Sequence, residues 1–172
     1  MLLPSSSPPW WQRAVFYQVY PRSFADRDGD GIGDLPGIID KLDYLRDLGV
    51  DALWLSPHYP SPQLDCGYDI ANYCAVNPEY GTLADFRRLL DQAHRRGLKV
   101  VADLVLNHTS DQHLWFQESR RSLCSPRRDW YIWRPGKGVD PPNNWLSAFG
   151  DSAWTLDPLT NEDYYPLFFK EQ

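Results

Sequence analysis

Two patterns of apolar and polar positions alternate along the first two-thirds of the chain. Short apolar runs rich in β-branched and aromatic residues occupy residues 14–20 (AVFYQVY), 51–56 (DALWLS) and the start of 99–111 (KVVADLVLNHTSD). Such runs predict buried strands. Between them, residues 35–50 and 82–97 carry apolar side chains at helical spacing. The chain is therefore predicted to alternate strand, helix, strand, helix, strand.

Residues with terminal preferences mark where these helices begin and end. Pro36 falls near the first turn of the first helix and Gly49 just past its last turn. Thr82 is a suitable N-cap for the second helix, which Gly97 ends. Strands that alternate with helices are typical of a parallel sheet with helical crossovers, so the fold class is predicted to be α/β.

The alternation stops after Asp111. Residues 112–172 are dense in Trp, Pro, Asn, Asp and Tyr and show no further strand–helix unit. We therefore expect two parts: residues 1–108 with the parallel sheet, and residues 109–172 as an irregular lid or small subdomain inserted after the third strand.

Polar residues interrupt and end the third predicted strand. Asp103 lies within the run, and Asn107 and His108 close it. In parallel α/β folds, ligands bind at the carboxyl ends of the strands, which makes Asn107 and His108 candidate ligand-binding residues. A carboxylate inside a strand is expected to be buried and to need a partner, and the sequence offers no obvious dedicated cation for Asp103.

Composition narrows the classes of function. A net charge of -6 and a pI near 5.1 argue against nucleic-acid binding, which requires a basic face. The 8 Trp and 10 Tyr lie largely in loop-like sequence, where they could stack on sugars or anchor the loops. The three cysteines lack CxxC spacing, and no signal peptide or membrane span is recognisable, so a cytoplasmic protein is predicted.

Four segments together resemble the N-terminal part of the α-amylase superfamily, in particular its α-glucosidases of the oligo-1,6-glucosidase type. The segments read VFYQVYPRSFADRDGDGIGDLPGI, LGVDALWLSPHYPSP, DCGYDIANY and DLVLNHTSD. The resemblance implies a (β/α)8 TIM barrel with a small domain inserted after its third strand. It also implies retaining chemistry on the α-glucosidic bonds of oligosaccharides or disaccharides.

The resemblance assigns roles to residues of this chain. Asp65 and Tyr68 match the pair that recognises glucose, and His108 matches a histidine that donates to a glucose hydroxyl. Asp103 matches a carboxylate that supports the catalytic residues through an arginine.

The same resemblance concerns two aromatic residues and one cysteine. Phe149 and Phe168 match aromatic positions that wall the pocket, although each could equally belong to the core of the inserted domain. Cys66 stands where this group often has asparagine, which leaves the specificity at the pocket edge open.

The acidic loop DRDGDGIGD at residues 26–34 is a candidate metal site. Alternating oxygen ligands with intervening glycines suit a hard cation such as Ca²⁺. It is not an EF-hand, because the twelfth position is Gly37 rather than Glu. The glucosidase branch binds calcium in this loop, which implies the ligands Asp26, Asp28, Asp30, Ile32 (carbonyl) and Asp34. The alternative is a solvated acidic turn in which Asp34 caps the next helix.

The nucleophile and the acid/base that the resemblance implies are expected beyond Gln172. We therefore expect these residues to be the N-terminal part of such an enzyme, inactive and unstable by itself. Three alternatives stay open: a trehalose synthase-like transglycosylase, a transporter-associated relative without catalytic carboxylates, and a short protein that binds sugars without cleaving them.

Overall fold

The structure, a computed structural model, describes residues 8–172, which form two compact units. The first unit contains the chain up to His58 together with Val76–Leu104, and the second contains Tyr59–Ala75 and Val105–Gln172. The sequence pattern did not indicate that residues 59–75 group with the second unit. The predicted division at residue 108 refers to the domains of a complete barrel and stays a prediction.

A three-stranded parallel sheet forms the centre of the first unit. Its strands are β1 (Phe16–Val19), β2 (Ala52–Leu55) and β3 (Lys99–Ala102), in the spatial order β1-β2-β3. The predicted parallel arrangement of the three apolar runs is therefore confirmed. The third strand is shorter than predicted, because it ends at Ala102 rather than continuing towards His108.

Four helices belong to the first unit: α1 (Pro21–Phe24), α2 (Leu35–Asp40), α3 (Leu42–Asp47) and α4 (Leu83–Arg95). The prediction of a single helix over residues 35–50 is wrong, because two helices, α2 and α3, occupy this range. At Lys41 the backbone leaves the helical region (φ -98°, ψ 1°), and its N–H donates to the carbonyls of Ile38 and Ile39. This tightened turn ends α2 and starts α3.

Helix α4 begins and ends where the sequence predicts. Thr82 and Asp85 form a reciprocal capping box: Thr82 Oγ1 accepts from the N–H of Asp85, and the Asp85 carboxylate accepts from the N–H of Thr82. The helix ends at Arg95, and Gly97 follows with a φ of +78° that favours glycine.

The core of the first unit lies between the sheet and its helices. Fully or almost fully buried apolar side chains pack there: Val19, Leu35, Ile38, Leu42, Leu45, Leu53, Leu55, Tyr80, Leu89, Ala93 and Leu98. Leu48 and Leu83, placed on the apolar helix faces by their spacing, are instead 53% and 46% exposed. Both lie at helix ends, where the chain turns away from the core.

The other face of the sheet is uncovered. Phe16, Trp54 and Val101 are 41%, 37% and 39% exposed, although continuous apolar runs are typical of strands buried on both faces. Strand β3 pairs with β2 on one side and with no other strand among residues 8–172. The sheet therefore has an apolar face and an open edge.

The second unit is more regular than the sequence predicts. It contains helix α5 (Leu114–Arg120) and an antiparallel sheet of β4 (Trp133–Arg134), β5 (Thr155–Asp157) and β6 (Glu162–Tyr164), in the order β4-β6-β5. The expectation of an irregular excursion was wrong here, because strands of 2 or 3 residues and a 7-residue helix are too short to show a period. Phe116, Trp133 and Tyr164 form its aromatic core.

Ion pairs with buried members connect α5 and the segment after it to the small sheet. Arg120 Nη2 donates to Asp157, a fully buried carboxylate, at 2.6 Å. Arg128 pairs with Glu162, and its guanidinium lies 3.5 Å from the centroid of the Trp133 ring. A buried cation with both a carboxylate and an aromatic partner fixes the packing of the strands against the helix.

No helix within residues 8–172 combines the length and the apolar character needed to cross a membrane.

We predict that Thr82→Ala destabilises the chain by about 1 kcal/mol, because α4 loses the hydroxyl that satisfies its first turn. The change is measured as a shift in the urea midpoint of unfolding. Thr82→Ser is the control, since it keeps the hydroxyl. Equal midpoints for the alanine and serine variants would contradict the capping role.

Candidate functional site

A buried carboxylate organises the loop that carries the predicted glucose-binding pair. Asp69 is fully buried, and it accepts hydrogen bonds from Ser61 Oγ (2.7 Å) and from the N–H groups of Leu64 (2.9 Å) and Asp65 (3.2 Å). The loop is thereby folded around Asp69, with Asp65 at a fixed position. The sequence pattern did not predict a role for Asp69. The only signal was an aspartate directly before the apolar Ile70.

Cys66 lies at the turn of this loop in a backbone conformation that suits other residues better. Its φ is +51°, and Gly67 follows with a φ of +95°. Glycine and asparagine tolerate the left-handed region, whereas most other residues are strained there. The left-handed backbone therefore explains why asparagine suits this position in the proteins that the chain resembles.

His108 contacts the same loop through its ring. Its Nε2 lies 3.0 Å from the carbonyl oxygen of Tyr68, and its Nδ1 lies 3.4 Å from Nδ2 of Asn107. A carbonyl can only accept a hydrogen bond, so this geometry favours the tautomer with the proton on Nε2. The structure thus brings the backbone of Tyr68 and the ring of His108 together.

Tyr73 holds the backbone that carries His108. Its hydroxyl lies 2.7 Å from the carbonyl oxygen of Val105 and 2.6 Å from that of His108. Burial raises the pKa of Tyr73 to about 12, so the hydroxyl keeps its proton. Tyr73 thus holds the backbone on both sides of Leu106 and Asn107 in the segment that follows β3.

Gln172 lies beside both predicted polar residues, and no sequence pattern indicated it. Its Nε2 donates to Asp65 Oδ2 at 2.7 Å and lies 3.1 Å from His108 Nε2. Its Oε1 accepts from the N–H of Phe169 at 3.3 Å, and the side chain is buried. We call Asp65, Tyr68, His108 and Gln172 the polar cluster.

The two aromatic residues predicted to wall the pocket, Phe168 and Phe149, lie next to the polar cluster. The Phe168 ring packs edge-on against the His108 ring with centroids 5.2 Å apart, and the Phe149 ring lies 6.0 Å from Phe168. Phe149 is 59% exposed, whereas Phe168 is partly buried. Phe149 is therefore not a core residue, and Phe168 lies between the polar cluster and solvent.

Asp103 belongs to the first unit and directly follows β3. Its N–H donates to the carbonyl of Leu55 at 3.1 Å, and its Oδ1 accepts from Trp54 Nε1 at 2.7 Å. The side chain is partly exposed rather than buried, which corrects the expectation of a carboxylate deep in a strand. The reason is that the sheet face bearing Trp54 is uncovered.

His58 is a buried titratable group of the first unit. Its ring stacks on Phe86 with centroids 4.6 Å apart. Burial lowers the pKa of His58 to about 4, and the negative charge of Asp103 only partly opposes this shift. His58 is therefore neutral at pH 7.

The acidic loop brings three of its predicted ligands together. Asp26, Asp28 and Asp34 each offer a carboxylate oxygen, and these oxygens lie within 4.8 Å of one another. Asp30 is not in this group, and its carboxylate accepts from the N–H of Ile32 at 2.7 Å.

Backbone hydrogen bonds hold the acidic loop in place. Gly33 N–H donates to the carbonyl of Arg22 at 2.7 Å, and Asp34 N–H donates to that of Ala25 at 2.9 Å. Asp34 also caps α2 through Gly37, as the alternative interpretation expected. The N–H groups of Gly31 and Gly29 lower the pKa of Asp26 and keep it ionised. This donor set and its fixed backbone fit a hard cation.

A family model described as "Alpha amylase, catalytic domain" matches residues 18–172. This match covers most of the chain. The chain belongs to the alpha-amylase family.

Several curated relatives are glucosidases by name. The chain is 59% identical over 163 residues to an oligo-1,6-glucosidase of Parageobacillus thermoglucosidasius, covering 95% of this chain and 29% of the relative. It is 54% identical over 175 residues to alpha-glucosidase MAL32 of Saccharomyces cerevisiae, covering 98% and 30%. This alpha-amylase family chain therefore spans somewhat less than a third of the length of these relatives.

Similar solved structures include a sucrose-converting member of the family. Trehalulose synthase MutB from Pseudomonas mesoacidophila superposes with a TM-score of 0.94 at 54% identity, covering 97% of this chain and 30% of that one. A MutB mutant solved in complex with the substrate sucrose matches equally well, with a TM-score of 0.94 and 54% identity over 97% of this chain and 30% of that one. The predicted membership of the α-amylase superfamily is confirmed.

We predict that Cys66→Asn stabilises the chain by about 1 kcal/mol, because asparagine tolerates the left-handed backbone at this position. The measurement is the thermal midpoint of unfolding. Cys74→Asn is the matched control, since Cys74 is also an exposed free cysteine but has no positive φ. If both variants shift the midpoint equally, the backbone explanation fails.

We predict that His58 makes stability fall as the pH is lowered. The histidine titrates at a pH of about 6.5 in the unfolded state and about 4 in the folded state. Between these two values the unfolded state binds a proton that the folded state does not bind. The contribution of His58 is therefore complete above pH 6.5 and decreases by about 1.4 kcal/mol per pH unit towards pH 4. Urea unfolding at pH 7, 5.5 and 4.5 should show a smaller loss in His58→Phe. Parallel losses would refute the prediction.

Proposed function

We propose that these residues belong to an enzyme that acts on α-glucosidic bonds, with hydrolysis as the principal reaction. The observation that carries the proposal is the polar cluster, in which Asp65, Tyr68 and His108 lie together in one unit. A carboxylate that accepts and an imidazole N–H that donates can recognise adjacent hydroxyl groups of one sugar ring. The glucosidase names of the relatives at 54–59% identity support the same substrate class.

We propose a (β/α)8 barrel as the complete fold. The first unit would supply the first three strand–helix units, and residues 109–172 would be the domain inserted after the third strand. The open edge of β3 and the uncovered apolar face of Phe16, Trp54 and Val101 support this, since further parallel strands would pair with the edge and enclose the face.

The proposed chemistry is retaining and requires two carboxyl groups about 5–5.5 Å apart, one as nucleophile and one as acid/base. We propose that both lie outside residues 1–172. Within this chain, Asp65 accepts hydrogen bonds from glucose hydroxyls, and His108 Nε2–H exchanges its bond to the Tyr68 carbonyl for one to a glucose hydroxyl. Phe168 excludes water from one side of the sugar. Asp103 supports the catalytic carboxylates through an arginine that, like them, would lie outside residues 1–172.

A second candidate function is glucosyl transfer to form an isomeric disaccharide. The observation that favours it is the similarity to trehalulose synthase, whose 54% identity is close to the 59% of the first glucosidase. Both reactions begin by breaking an α-glucosidic bond at a glucose recognised in the same way. Chromatography of the products formed from sucrose by the complete enzyme separates them: glucose and fructose indicate hydrolysis, and a new disaccharide indicates transfer.

We predict that the 172-residue chain binds methyl α-glucoside with a dissociation constant on the order of 1 mM and does not hydrolyse it. Asp65→Asn should weaken binding at least tenfold, because a charge-assisted hydrogen bond is lost. Calorimetric titration measures the affinity. Asp129→Asn, an exposed carboxylate elsewhere in the second unit, is the control. Circular dichroism first verifies that the unmodified chain is folded. Absence of heat with the folded chain would reject the proposed site, and turnover would reject the proposed inactivity.

We further propose that the acidic loop binds one Ca²⁺ through Asp26, Asp28 and Asp34, with Asp30 and the Ile32 carbonyl as additional ligands. The ion would offset the repulsion among carboxylates that lie within 4.8 Å of one another. It would also hold together the loop that Gly33 and Asp34 close at its base. Its role is structural, so no chemical step depends on it.

We predict that calcium raises the thermal midpoint of the chain, and that chelation lowers it again. At a concentration 100-fold above the dissociation constant, a ligand that binds only the folded state stabilises it by about 2.7 kcal/mol. Asp28→Asn should abolish the shift. Asp47→Asn, which removes an exposed carboxylate at the end of α3, should leave it intact. A calcium response unchanged by Asp28→Asn would contradict the assignment.

We also propose a cytoplasmic location and a substrate of the α-glucosyl oligosaccharide or disaccharide class. The location is supported by Cys66, Cys74 and Cys124, which are all exposed and free. The substrate class is supported by the polar cluster and by similar structures solved in complex with sucrose and isomaltulose.

A further inference from the structure

Tyr73 holds the segment that carries His108 at two points with a single oxygen atom. Its hydroxyl oxygen lies 2.7 Å from the carbonyl oxygen of Val105 and 2.6 Å from that of His108. A tyrosine hydroxyl has one proton to donate, and a carbonyl can only accept, so the two carbonyls share that proton. Both ends of the segment 105–108 are thus tied to the same atom, and Leu106 and Asn107 form a loop between them.

This tie acts where regular secondary structure is missing. Residues 104–109 form neither helix nor strand, so no ladder of backbone hydrogen bonds fixes them. Tyr73 is itself held by ring packing, because its centroid lies 5.9 Å from that of Tyr59 and 5.7 Å from that of His113. All of these residues except Leu104 belong to the second unit. The hydroxyl therefore supplies a fixed point within that unit for an otherwise irregular segment.

The loop places a hydrogen-bonding group at each nitrogen of the His108 ring. Nδ1 lies 3.4 Å from the side-chain amide nitrogen of Asn107, which donates, and Nε2 lies 3.0 Å from the carbonyl oxygen of Tyr68, which accepts. The contact made by one ring nitrogen of a histidine sets which nitrogen carries the proton, and both contacts favour Nε2–H. The amide nitrogen of Gln172 also lies 3.1 Å from Nε2, and it already donates to Asp65.

We propose that Tyr73 is a positioning residue that keeps His108 a hydrogen-bond donor at Nε2. This inference rests on the proposed function, in which that N–H passes to a glucose hydroxyl, and it adds the group that prepares the donor. Tyr73 does not contact the sugar and acts through the backbone of residues 105–108. Without the hydroxyl, both carbonyls lose their donor and the ring can leave Asn107 and Tyr68. A neutral ring with its proton on Nδ1 cannot donate through Nε2.

Tyr131 provides a matched control, because it is a second buried tyrosine that contacts the same segment. Its hydroxyl lies 2.7 Å from Oγ1 of Thr109, the residue after His108. Burial raises the pKa of Tyr131 as it raises that of Tyr73, so both hydroxyls keep their proton. The difference is that Tyr131 contacts a side chain. Tyr131→Phe therefore removes a hydroxyl from the same unit without removing the donor of the two backbone carbonyls.

The test determines the His108 tautomer in the 172-residue chain by long-range ¹H–¹⁵N correlation NMR at about pH 8, where histidine is ordinarily neutral. The chain has 4 histidines, and His108→Gln identifies the His108 signals. We expect a proton on Nε2 alone in the unmodified chain and in Tyr131→Phe. Tyr73→Phe should give ring-nitrogen shifts averaged between the two tautomers. His94, exposed on α4, is the internal reference and should not change.

Calorimetric titration with methyl α-glucoside supplies a second measurement. Tyr73→Phe should bind about tenfold more weakly, and Tyr131→Phe should bind as the unmodified chain does. Circular dichroism verifies that each variant is folded.

The NMR outcomes decide the inference without any sugar present. A proton on Nδ1 in the unmodified chain would overturn it before any variant is made. A single Nε2–H tautomer in folded Tyr73→Phe, or equal changes in the two phenylalanine variants, would also overturn it and leave the proposed function standing. If the tautomers behave as expected but the folded, unmodified chain does not bind the glucoside, the proposed function fails and the positioning of His108 by Tyr73 stands.

Discussion

The hydrogen bonds of the buried Asp69 carboxylate are the constraint on which the candidate site depends. A fully buried carboxylate must have its lone pairs satisfied, and Asp69 achieves this with one hydroxyl and two backbone N–H groups of its own loop. The loop can satisfy it in only a few conformations. The position of Asp65 and the strained turn at Cys66 follow from this requirement, and so does the placement of the Tyr68 carbonyl that faces His108.

The two units use polar contacts in different ways. In the second unit, buried ion pairs such as Arg120–Asp157 fix short elements that have little apolar surface of their own. In the first unit, the apolar core between sheet and helices is extensive, and most charged pairs lie at the surface, where each contributes little to stability. The proposed binding groups are therefore held mainly by hydrogen bonds, and the proposed scaffold mainly by apolar packing.

Local sequence predicted the features that depend on local chemistry. The three parallel strands follow from apolar runs, and Thr82 and Gly97 bound α4 because capping requires those residue types. Asp69 and Gln172 could not be found in this way, because their roles depend on partners many residues away. Asp103 was expected to be buried because strand burial was inferred from the pattern alone. Helix α5 was missed because it is too short to show a period.

Each of the two units is assembled from two separate stretches of chain. The loop with Asp65, Tyr68 and Asp69 is drawn from between β2 and α4, yet it packs with residues that follow β3. Neither unit can therefore be released by a single proteolytic cut or transferred to another protein as one contiguous segment. During synthesis, the loop would leave the ribosome well before most of the chain it packs against. The glucose-binding pair would acquire its surroundings only after the later segment had emerged.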